Sequence, residues 1–154
     1  QVCNMNWKYE KWKNSAVSEY EDIQTYIEME VYPEDIELFS YILLPSTILY
    51  KDRVIIVDIE KNNDYIKNSM KSFDDWDSSH GGKTAQWMIN KTLISNIFCN
   101  SIEPETSGST LIRIAELIKY NWEFFLSKNY PDKEFIIEIG DIEWEDPYVT
   151  FYQP

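Results

Sequence analysis

The run TLIRIAELIKYNWEFFLSKNYP, residues 110 to 131, constrains this chain more than any other segment. Leu111, Ile114, Ala115, Ile118, Trp122, Phe125 and Leu126 recur at helical spacing and form one broad apolar face. Arg113, Glu116, Tyr120 and Glu123 lie opposite, and Asn129 and Pro131 close the run. A water-exposed helix with such a face is unstable alone, so the rest of the chain must supply a layer to cover it. EFIIEIGDIEW and YVTFYQP follow directly and read as paired strands separated by Glu145-Asp146-Pro147.

Upstream, IQTYIEMEV alternates Ile23, Thr25, Ile27, Met29 and Val31 with polar or tyrosine neighbours, the period of a half-buried strand. The preceding MNWKYEKWKNSAVSEY fits a first strand or a short helix. Pro33 suits the first turn of a helix whose apolar positions are Ile36, Phe39, Ile42 and Leu43. STILYKDRVIIVDIE reads as a hairpin about Lys51-Asp52. Asn62 or Asn63 caps a helix bearing Ile66, Met70 and Phe73, which Gly81-Gly82 breaks. TAQWMIN predicts a further short helix, TLISNIF a strand, and residues 100 to 109 a loop. This order predicts a single α+β domain over 1–154: an antiparallel or mixed sheet packed by about three to four helices.

Charge narrows the partners. Fourteen Lys and Arg against 27 Asp and Glu leave a net charge of −13. Such a surface repels phosphate backbones and anionic lipid, so neither nucleic acid nor membrane is an expected partner. A basic protein would be steered toward it. Cys3 and Cys99 make no metal-binding spacing and are expected to be free thiols in a reducing cytoplasm. No apolar run approaches a membrane span.

The segment FDDWDSSHGGKTAQW, residues 73 to 87, contains a GGKT that resembles the end of a phosphate-binding loop. That motif requires a glycine where this chain has Asp77, and a buried strand where this chain has a helix pattern. His80 is the only histidine, which rules out HExxH and Cys2His2 sites, and no G-x-S-x-G accompanies it. A surface or capping histidine is the expectation. No lysine has Asp or Glu two residues before it, so the acid-x-Lys arrangement of restriction-type nucleases is absent.

Two acidic clusters carry tryptophan: Asp74, Asp75, Trp76 and Asp77, and Glu143, Trp144, Glu145 and Asp146. Glu143 and Glu145, two apart, would point the same way on a strand. Tryptophan ringed by carboxylates suits an interface anchor facing a basic partner. Trp87 and Trp122, on apolar helical faces, are expected in the core. The alternative use of such carboxylates is a hydrolase or metal-dependent site; a third possibility is a structural assembly subunit.

In LLPSTILYKDRVII (43–56), WMINKTLISNIF (87–98) and LIKYNWEFFLSKNYPDKEFIIEI…VTFYQ, the chain resembles small acidic bacterial proteins, a set that includes immunity proteins of polymorphic and contact-dependent toxin systems. The resemblance implies no enzyme activity and no transferable functional residues; no cofactor and no metal are expected from the residues. For an immunity protein it implies tight binding to a cognate toxin, often a nuclease, and the acidic surface suits a basic nucleic-acid-binding cleft by mimicking phosphate charge.

Overall fold

The structure, a computed structural model, describes residues 6–15, 22–58, 60 and 62–154. Among them lie seven helices and two antiparallel sheets, an α+β architecture. In chain order the elements are α1 (Trp7–Lys13), α2 (Ile23–Glu30), α3 (Pro33–Leu43), β1 (Thr47–Tyr50), β2 (Arg53–Ile56), α4 (Asn63–His80) and α5 (Gly82–Asn90). There follow β3 (Thr92–Leu93), α6 (Ile94–Ile97), α7 (Gly108–Asn129), β4 (Ile136–Gly140), a 3-10 turn (Ile142–Trp144) and β5 (Tyr148–Tyr152).

Helix α7 behaves as its pattern requires. Ser107 caps it by accepting the Thr110 N–H, and Leu111, Ala115, Ile118, Trp122 and Leu126 form the buried stripe. They pack with Val54, Ile94, Val149 and Phe151 into the main core. Each large side chain so buried contributes about 1.5–3 kcal/mol. The covering layer is the three-stranded sheet, in order β3-β5-β4. Ile136 to Gly140 pair with Tyr152 to Tyr148, and Thr92 and Leu93 with Val149 and Tyr148.

The second sheet is the β1-β2 hairpin, with Tyr50 opposite Arg53. Its two-residue turn puts Lys51 and Asp52 at φ of 48° and 62°. Both are left-handed, as a type I′ turn demands, though neither is glycine. Ion pairs anchor the turn from either side, Lys51 to Asp74 on α4 and Asp52 to Lys133, each at 2.6 Å. A smaller cluster of Ile55, Phe73 and Ala85 seats the hairpin on α4 and α5.

Three segments differ from expectation. IQTYIEMEV is helix α2, not a strand. Asp22 caps it by accepting the Thr25 N–H, and Gln24 bonds Glu28 one turn on. Ile23 and Ile27 are exposed, so no sheet face claims the alternating pattern. TLISNIF gives only two strand residues. Ile94 N–H still reaches the Pro147 carbonyl, but β5 starts at Tyr148, so no partner strand remains and the chain coils into α6. The third is DIEW, which leaves the sheet as a 3-10 turn between left-handed Asp141 and Glu145. The helices beyond the expected three to four are α1, α2 and α6. Cys3 lies outside the described residues, and Cys99 is free and exposed.

The hairpin and the larger sheet share no strand ladder. Side-chain amides fill the gap. Asn90 accepts the Ile56 N–H at 2.8 Å and donates to the carbonyls of Val54 and Phe151, each at 3.1 Å. Gln86 donates to the Val54 carbonyl and to Gln153 Oε1, and accepts from Arg53 and the Gln153 N–H. Gln153 Oε1 also accepts the Val54 N–H. Gln86 and Asn90 are fully buried and stand where a β2–β5 ladder would otherwise run.

Candidate functional site

Helix geometry separates the residues of the first acidic cluster. Asp74 turns toward the hairpin, accepting from Tyr50 Oη at 2.8 Å and Lys51 Nζ at 2.6 Å. The Lys51 ammonium, and after it the Tyr50 hydroxyl, hold its carboxyl below the usual carboxylate range. Asp75 faces solvent, and its carbonyl accepts the hydroxyls of Ser78 and Ser79. Trp76 is half-buried against the Ile55–Phe73–Ala85 cluster, its ring 5.2 Å from that of His80. Asp77 accepts the Gly81 N–H through its carbonyl, and its carboxylate lies beside Gly82. A shallow hollow of about 230 Å³ lies over Asp75, Trp76, Ser79 and His80.

The same geometry decides the phosphate-loop question. Gly81, at φ 85°, ends α4 and opens α5, so the segment before GGKT is a helix and not a buried strand. The Asp77 carboxylate stands at the α5 N-terminus, where it interacts favourably with the helix dipole and repels an incoming anion. His80 is exposed in the last turn of α4.

The second cluster is presented differently. Glu143, Trp144, Glu145 and Asp146 are all exposed, and Trp144 retains 81% of its surface. They occupy the knuckle joining β4 to β5, so Glu143 and Glu145 do not share a strand face. The left-handed residues at both ends, Asp141 and Glu145, fix the turn that pushes Trp144 outward. The Glu145 side chain lies over Gly108, where an added Cβ would sit 2.5 Å from it, so the knuckle rests on the start of α7. A hollow of about 290 Å³ is lined by residues 139–144. No hydrogen bond, ion pair or ring contact joins the two clusters among the described residues.

Trp122 is buried as expected. Trp87 is only half-buried: its indole N–H donates to Glu138, its ring meets Tyr148 edge-on, and the Lys91 ammonium lies over it at 5.3 Å. Among the described residues, no three His, Cys, Asp or Glu side chains gather in a way that could hold a metal ion, and no helix is long and apolar enough to cross a membrane. Sequence reasoning missed the buried amides. Their signal was a polar pair four residues apart, Gln86 and Asn90, beside Ala85 and Ile89 on one helix.

Acid titration tests the reading of Asp74. Its lowered pKa stabilises the fold above the ordinary carboxylate range, and that contribution is lost as pH falls through the folded value. Lys51 is raised mainly by the same bond, so the pair persists until pH climbs past the usual lysine range. Asp74→Asn should therefore flatten the acid limb of a stability-versus-pH curve below about pH 4. The effect should shrink with added salt, because both partners are half-exposed. An unchanged acid limb would remove Asp74 from the hairpin lock.

Comparison with protein families, with curated proteins and with solved structures finds no significant match to this chain.

Proposed function

We propose that this chain is a non-catalytic immunity protein that binds a cognate bacterial toxin and neutralises it by steric and electrostatic occlusion. The observation carrying the proposal is Trp144, a large apolar side chain 81% exposed on the β4–β5 knuckle beside Asp141, Glu143, Glu145 and Asp146. An exposed indole offers a large apolar anchor, and the carboxylates around it match a cationic cleft. Of the first cluster, Asp75 and the exposed edge of Trp76 remain available, while Asp74 is engaged within the fold.

The test uses the protein encoded immediately upstream as probe. Trp144→Ala should weaken its binding by about 2 kcal/mol or more, roughly thirtyfold. Reversing Glu143, Glu145 and Asp146 to lysine should slow association and reduce its salt dependence. Affinity and salt slope both unchanged in these variants would refute acidic steering through the knuckle.

A further inference from the structure

Helices α2 and α3 each expose more apolar surface than a solvent-facing helix requires. Neither has a fully buried residue. Ile23 and Ile27 on α2, and Ile36, Leu38 and Tyr41 on α3, all stand in solvent, as does Leu44 just beyond. Leu38 keeps 64% of its surface. On α3, Leu38 and Tyr41 lie one turn apart on the same side, and exposed apolar neighbours of this kind mark an interaction surface.

The charge on this segment is one-sided. No Lys, Arg or His occurs from residue 14 to residue 50. Over the described part, Asp22, Glu28, Glu30, Glu34, Asp35 and Glu37 are balanced by no cation of their own segment, and no ion pair engages them among the described residues. Ordinary solvated helices intersperse both signs.

Beside α3 runs a groove of about 570 Å³ between α1, α3, α6 and α7. Its lining is largely apolar, with Leu38 at the exposed edge and Phe39, Ile42, Ile97, Phe98 and Ile114 deeper in. Asp35 and Glu103 stand at its rim, with Lys8 contributed by α1. A second copy of the chain would set acidic face against acidic face, and anionic lipid would be repelled in the same way. Lys8 is the cation lining the groove, while Asp35 and Glu103 and the cation-free α2–α3 segment leave the α3 side acidic, and the complement of an apolar groove with such a side is an amphipathic helix with a basic flank.

We propose that the α3 face and this groove form a docking site for a basic amphipathic helical segment of a partner protein. The site is separate from Trp144 and does not rest on the toxin reading. Fluorescence anisotropy with a synthetic helical peptide of leucine and lysine in amphipathic spacing tests it, against a leucine–glutamate peptide of the same spacing. The basic peptide should bind and the acidic one should not. Leu38→Asn combined with Tyr41→Ser should weaken binding at least tenfold; both positions are exposed, so the thermal transition should stay in place. Glu34→Lys with Glu37→Lys should weaken it and flatten its salt dependence, and Trp144→Ala should leave it unchanged. No binding of the basic peptide overturns the proposal, as does equal binding by the Leu38/Tyr41 variant. A dimer in sedimentation that this variant abolishes would assign the face to a second copy, and adsorption to anionic vesicles would assign it to lipid; either result overturns the proposal.

Discussion

Asn90→Leu should lower the free energy of unfolding by about 2–6 kcal/mol, read as a lower urea midpoint at unchanged slope. The amide serves three backbone groups: the Ile56 N–H and the carbonyls of Val54 and Phe151. Val54 keeps Gln86 as a donor, but Ile56 N–H and Phe151 C=O lose the partner Asn90 supplied, in an interior where Asn90 is wholly enclosed. Each buried orphan costs about 1–3 kcal/mol, more than a leucine of similar size recovers at one position. Gln86→Leu should fall in the same range, since it strips the Gln153 N–H and frees the Arg53 guanidinium from one of its acceptors. Gln24→Ala is the control. Its bond to Glu28 is exposed, and its loss should cost a few tenths of a kcal/mol. A loss below about 1 kcal/mol for Asn90→Leu would mean water reaches these groups readily.

The amide bridge also marks where sequence reading stops. Period and punctuation made α3, the hairpin, α4, α5, α7 and the β4–β5 pair legible, because each has an apolar repeat bounded by a cap, a proline or a turn. Segment 23–31 satisfies the strand period equally well, and only Asp22 and the Gln24–Glu28 pair favour the helix locally. Its tertiary setting settles the matter: without a neighbouring strand, alternation has nothing to pair with. Gln86 and Asn90 lie in an apolar pattern that reads as core, and nothing in the sequence says which backbone groups they must satisfy. The two candidate clusters divide for a related reason. In an α-helix, consecutive residues point about 100° apart, so DDWD sends Asp74 to the hairpin, Trp76 to a core cluster and Asp75 to water. In EWED, a 3-10 turn between two left-handed residues leaves all four residues exposed, with Glu145 resting on the start of α7. Equal composition therefore gave one usable surface and one partly consumed by folding.

Trp122→Ala should cost about 3–5 kcal/mol, the other large effect, and the reason lies in what the indole joins. Its surface is 1% exposed, its ring meets Phe151 edge-on at 5.5 Å, and its N–H donates to the Ile42 carbonyl at 2.9 Å. Ile42 lies in the last turn of α3, where helix carbonyls lack an intrahelical donor, so Trp122 also completes that helix end. Trp122→Phe separates the two roles. It keeps an aromatic ring against Phe151 but leaves the Ile42 carbonyl without its donor, for about 1–3 kcal/mol. Its damage should be local: hydrogen exchange should quicken in α3 while α7 and β5 stay protected. Because Phe39 and Ile42 floor the groove beside α3, the same variant should also weaken the basic peptide there. Equal losses for Trp122→Phe and Trp122→Ala would place the stabilisation in the bond to α3, whereas uniform loss of protection would make the tie to α3 inseparable from the core.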